Sequence, residues 1–146
     1  MSDLLVLLVQ FAATWTMVGI IWFVQVVHYP LFSRVDGPGS GAYAVENHRR
    51  TSWVVGPPMA VEGVTALWLV ARPPDGVGRV LPVVGLGLLA LVLGSTVLLQ
   101  VPEHARLVDG HEPSTVRRLV SGIWVRTVGW TARGVLVAAM VVLATR

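Results

Sequence analysis

The chain has no cysteine and no lysine, and only 13% of its 146 residues are charged. The missing cysteine excludes a disulfide frame, thiolate chemistry and a Cys-ligated metal. An average soluble domain is roughly 25% charged. A chain this short with so few charges cannot form the polar shell of a cytosolic globule, nor is it polar enough for a disordered tail. All the basic residues are arginine, eleven against eight acids, for a net charge of +3. A pI near 10.6 on so few charges is not the footprint of a nucleic-acid module. What the sequence has in abundance is apolar: 54% hydrophobic residues and a mean hydropathy of +0.70.

No charge interrupts the run between Asp3 and Arg34. Its core, residues 4–27, exceeds the roughly 20 helical residues that cross a hydrocarbon layer about 30 Å thick. A cleaved secretory signal has a basic start and a shorter apolar stretch, whereas this start is acidic. Residues 80–101 form a second uncharged run, with Gly85, Gly87 and Gly94 of the kind common in membrane helices. Residues 53–71 and 123–145 are apolar runs that carry charge, Glu62 in the first and Arg126 and Arg133 in the second. The expected fold is all-α: an integral membrane four-helix bundle, one domain over residues 1–146, with two polar loops on one side.

Pro73, Pro74 and Gly76 predict a tight turn over residues 72–79. The other connections, residues 29–52 and 102–118, are longer. The first passes through Gly37-Pro38-Gly39-Ser40-Gly41 into a polar stretch, 43–52, that suits a helix continuing into the second span. In the other, Ser114 is a candidate N-cap for a helix running through Arg117 and Arg118. Alternating helix directions place both termini and the short turn on one side, with Arg72, Arg79 and Arg146. The long loops carry Arg34, Arg49, Arg50, Arg106, Arg117 and Arg118. The positive-inside bias then predicts a multi-pass protein of the cell membrane with cytoplasmic long loops and external termini. Gln25-Val-Val-His28 against Gln100-Val-Pro-Glu-His104, and two Arg-Arg approaches to a Trp, suggest an internal repeat of helix pairs. The alternative is that apolar helices resemble one another.

Polar residues inside such helices need partners. All four histidines, His28, His48, His104 and His111, fall on the long-loop side. Gln25 with His28, and Gln100 with His104, share a helix face. His48, Ser52, Val55, Met59 and Glu62 follow steps of 4, 3, 4 and 3, one face of a continuous helix. Gly56-Pro57-Pro58 interrupts it and predicts a kink or a fresh start, which leaves the register between His48 and Glu62 open. At about 1.5 Å per residue, Glu62 and Arg133 both lie roughly 13 Å in from the long-loop side. A lone charge facing lipid costs at least about 2.5–3.5 kcal/mol. Equal depth and opposite sign therefore predict a Glu62–Arg133 ion pair, while Arg126, higher by roughly 10 Å, is placed to snorkel. The plain alternative is a pair that only fixes which helices pack together.

Convergence favours a site. Gln25, His28, Glu62, Gln100, His104, Arg126 and Arg133 come from all four spans and share one membrane half, where a single cavity would gather them. Glu62, Arg126 and Arg133 are its candidate catalytic groups, and His28, His104, Gln25 and Gln100 its candidate cofactor-binding groups. His28, His48 and His104 offer nitrogen ligands for a metal ion, and a haem between His28 and His104 is a second possibility. Arginine and glutamine ligate metals poorly and point instead to an anionic or carbonyl-bearing organic molecule.

Trp15-x-x-x-Gly19, running into Tyr29-Pro30-Leu31-Phe32, resembles the start of small four-helix haem-associated membrane proteins of the protoporphyrinogen-oxidase and copper-resistance type. Where that resemblance asks for a histidine early in the first helix, this chain has Gln10. The general layout is also similar to small four-span bacterial proteins of unknown function and to anthrone-oxygenase-like families. Three functions are compatible with these residues. One is a redox enzyme acting on a small lipophilic substrate, with metal or haem. Another is a binding or transport unit for an anionic small molecule, working as a homodimer. The third is a structural or accessory protein. The bilayer is the common partner, and no nucleic acid is expected.

Overall fold

The computed structural model describes residues 3–32, 40–96 and 113–146. Helix α1 (Asp3–Phe23) runs through a wide π turn, Val24–His28, into a short α2 (Tyr29–Phe32). Helix α3 spans Ser40–Ala71, α4 spans Val80–Ser95 and α5 spans Pro113–Ala144. The π turn has a local cause. Pro30 has no N–H, and its ring crowds the carbonyl four residues back, that of Val26. A turn with one extra residue relieves that clash.

The four long helices form an up-and-down bundle in the ring order α1, α3, α4, α5. Each packs on its two neighbours, and the diagonal pairs, α1 with α4 and α3 with α5, are not neighbours in that ring. Asp3–His28, Gly41–Ala71 and Trp124–Ala144 are long and apolar enough to cross a membrane, and Val80–Ser95 is a shorter apolar helix. Apolar side chains point outward as well as inward. Leu8, Phe23, Val64, Leu67, Leu91, Val128 and Val135 are all exposed. Such a surface is a sticky patch in water and an ordinary outer face in lipid.

Inside, one apolar cluster gathers Met17, Ile21, Ala66, Leu89, Val92 and Trp130; a second, towards the short turn, gathers Leu7, Leu69, Val77, Val137 and Met140. Small residues let backbones approach, the usual device of membrane helix packing. A Cβ added at Gly129 would lie 2.5 Å from Val92 Cγ2, which fixes the close crossing of α4 and α5. The 72–79 turn is as expected. Gly76 has φ +80°, and a Cβ there would meet the Leu143 carbonyl oxygen at 2.8 Å, so the turn seats directly on the end of α5. At the same end the Trp68 indole donates to Asp3 Oδ1 at 3.1 Å, and the Arg72 guanidinium lies 5.0 Å over the Trp68 ring.

One local expectation changes. α3 does not restart at Gly56-Pro57-Pro58; it is one helix with both prolines inside. The carbonyls that lose their helical donors belong to Trp53 and Val54, at the long-loop end of the span. α5 begins at Pro113, a position where a missing N–H costs no helical bond. Ser114 lies in the first turn of that helix, and the cap expected of its side chain falls outside the described residues.

Candidate functional site

At mid-bundle Glu62 and Arg133 meet. Arg133 Nε donates to Glu62 Oε2 at 3.3 Å, and the two side chains are 0% and 1% exposed. The contact joins α3 to α5 across the diagonal, so it lies along the bundle axis. Arg133 Nη1 donates to the Gly85 carbonyl, which brings in α4. Glycine suits that position: a Cβ would lie 3.4 Å from the same nitrogen and 3.2 Å from Leu136 Cδ2. Helix α1 contributes Gln10 and Thr14, both buried, with the Thr14 hydroxyl beside the Glu62 carboxylate. Gln10 Oε1, Trp130 Nε1 and Arg133 Nη2 are buried and make no hydrogen bond among the described residues. This is a polar centre supplied by all four long helices, inside an apolar shell.

One helical turn towards the long-loop side the interior opens. A cavity of about 300 Å³ lies among α1, α3, α5 and the end of α4. Met17, Val55 and Met59 line its apolar part; His28, His48, Ser52, Thr96 and Arg126 line its polar part. On α3 the steps explain the wall, because His48, Ser52, Val55 and Met59 share the face that leads on to Glu62. Since α3 is unbroken, that register holds. The π turn carries His28 into the same cavity. A neighbouring groove of about 430 Å³ shares Ile20, Val24, His28, Asn47, Thr51 and Val55 with the cavity and continues between α1 and α3 past Gly19, Phe23 and Val54.

The expected single cavity is thus divided among the described residues. His28, His48 and Arg126 line the open cavity. Glu62 and Arg133 lie below it as a closed pair. Gln25 is buried, and its Oε1 accepts from Thr127 Oγ1 at 3.4 Å, which fastens α1 to α5. The same seam holds Trp22, whose indole donates to Thr131 Oγ1 at 3.1 Å and whose ring meets Trp124 edge-on at 6.0 Å. Gln100, His104 and His111 lie outside the described residues. Among the described residues no three of His, Cys, Asp and Glu are grouped to hold a metal ion. The metal and haem sets that need His104 are therefore represented only by His28 and His48, and no step is derived through either group.

Sequence reasoning missed Thr14, Asn47, Thr96 and the Gly85 carbonyl, and used Gln10 only as a departure from a family pattern. The 4–3 stepping applied to α3 finds part of this when applied to α1: Gln10, Thr14, Met17, Ile21, Val24 and His28 follow 4, 3, 4, 3 and 4. That stripe is the α1 wall of both the polar centre and the cavity. The Gly85 carbonyl has no side-chain signature at all.

No protein-family model, curated protein or solved structure matches the chain. Fold and site define a helical bundle with candidate membrane spans and, among the described residues, a cavity with both apolar and polar lining, and its chemistry has to be read from its own residues.

Proposed function

We propose that this membrane bundle binds a small lipophilic molecule with an anionic or carbonyl head in the cavity beside His28, His48 and Arg126. The observation that carries the reading is the lining itself: apolar at Met17, Val55 and Met59, and rich in donors at the other end. Arg126 offers a fixed fork of N–H donors suited to a carboxylate or carbonyl oxygen. The Arg distribution supports a reading in which this polar end lies in the cytoplasmic half, with both termini outside. Redox chemistry on the bound molecule is the second reading, favoured by two imidazoles in one cavity, groups suited to hold or move a proton at a carbonyl oxygen. Glu62 and Arg133 then support the cavity from below rather than touching the ligand.

A photoreactive long-chain carboxylic acid, added to purified protein in lipid nanodiscs, tests binding. The label is expected on peptides holding Met17 and Met59. Arg126→Gln is expected to weaken labelling about tenfold, the scale of one lost charge-assisted contact. Equal labelling of wild type and Arg126→Gln, with both still folded by melting, overturns the assignment of the head group to Arg126. A scan of the same sample for bound metal and a haem absorption band tests the second reading. A stoichiometric signal that is lost in His28→Ala supports metal or haem there.

A further inference from the structure

We propose that the groove between α1 and α3 is a lateral portal through which a single-chain anionic amphiphile passes from the bilayer into the cavity. This rests on the binding reading above and names the substrate class and its route. Three observations carry it. The groove and the cavity share wall residues, among them Ile20, Val24 and Val55, so a single layer of side chains stands between them. The groove's outer rim is apolar and faces outward: Phe23 is 59% exposed and Val54 61%. Between them Gly19 leaves a gap, since a Cβ there would meet nothing within 4 Å. On the other flank of α1 the way in is fastened by the Trp22–Thr131 bond, the Trp22–Trp124 contact and the Gln25–Thr127 bond.

Charge selects the occupant. Arg50 lines the groove and Arg126 the cavity, and among the described residues no Asp or Glu lines either one. The nearest acid along α3, Glu46, is held by Arg49 and Arg50 at 2.8 and 2.6 Å. An anionic head moving inward thus passes from one guanidinium towards another, and its chain follows past Phe23, Val54, Ile20 and Val24 towards Met17 and Met59. A head that reaches Arg126 has left the leaflet. A carboxylate on one chain can do so, whereas a two-chain phospholipid keeps its second chain and large head outside.

The experiment compares routes. Full-length protein in phosphatidylcholine vesicles is labelled with a photoreactive palmitate analogue, and the same protein in detergent with a photoreactive octanoate analogue. Gly19→Trp fills the groove at a position that does not itself line the cavity, and Val54→Trp does the same from α3. In wild type the long-chain probe is expected to mark both Phe23 and Met17. Both variants are expected to slow Met17 labelling by the long-chain probe several-fold and to leave octanoate labelling in detergent unchanged. Unaltered long-chain labelling in both variants overturns the portal while leaving the pocket intact. Absence of cavity labelling by either probe in folded wild type overturns the pocket and the portal together. A photoreactive phospholipid that labels Met17 as well as the palmitate analogue does overturns the single-chain class. If Gly19→Trp unfolds, Val54→Trp decides alone, and its agreement with wild type rejects the portal.

Discussion

Arg133 is the residue on which the interior turns. It carries a charge across the bundle diagonal to Glu62 and a hydrogen bond to the backbone of α4. Removing one member of a buried pair leaves the other charge without compensation, at a cost of about 3–5 kcal/mol in soluble proteins. In a membrane bundle the measured coupling is smaller, because the reference state also finds partners. Glu62→Gln and Arg133→Gln are each expected to lower the melting temperature in detergent. The double variant should recover part of the loss, and strictly additive losses would show that the two are not coupled. Matching depth along two helices made this pair legible in the sequence. Its surroundings were less so. Gln10 and Thr14 are isolated polar positions in a long apolar run, and a backbone carbonyl acceptor at Gly85 leaves no mark on composition.

The helices show why some boundaries were readable and others not. Length and apolar content locate the spans, and Pro73, Pro74 and Gly76 locate the turn, because those signals are local. The passage of α3 through Pro57-Pro58 has no such local mark. Helix α3 packs on α1 and on α4, and tertiary context overrides the local preference for a break. The same competition predicts which glycines matter. Gly129→Ala drives a methyl into the Val92 side chain and is expected to cost about 1–3 kcal/mol through overpacking. Gly87→Ala, where a Cβ meets nothing within 4 Å, is expected to melt within error of wild type or slightly above it. Thermal melts of the two purified variants check both; equal losses would place the α4–α5 crossing elsewhere.

Taken as a whole, the molecule has two ends of different character. Asp3, the turn with Gly76 and the end of α5 meet at one of them, around a pocket of about 330 Å³ that holds Asp3 and Asp75, while the cavity with its two histidines and Arg126 lies towards the other. Our orientation puts the end with Asp3 and Asp75 outside the cell. A reporter enzyme active only in the cytoplasm, fused after Arg146, should therefore give no signal; strong activity would invert the assignment. The axial pair has a further consequence, for biogenesis. Glu62 precedes Arg133 by 71 positions. Synthesis delivers α3 to the bilayer well before α5 exists, so the growing chain must hold a carboxylate at membrane depth with its partner still unmade. The early helices can associate, but their assembly stays provisional until the last one arrives. A chain stopped after Ser95 should be cleared quickly by cellular proteases, and Glu62→Gln should lengthen the life of that fragment while shortening that of the full chain. The last helix to be made thus completes a centre begun by the earlier ones, which gives the cell a direct way to tell a finished molecule from an unfinished one.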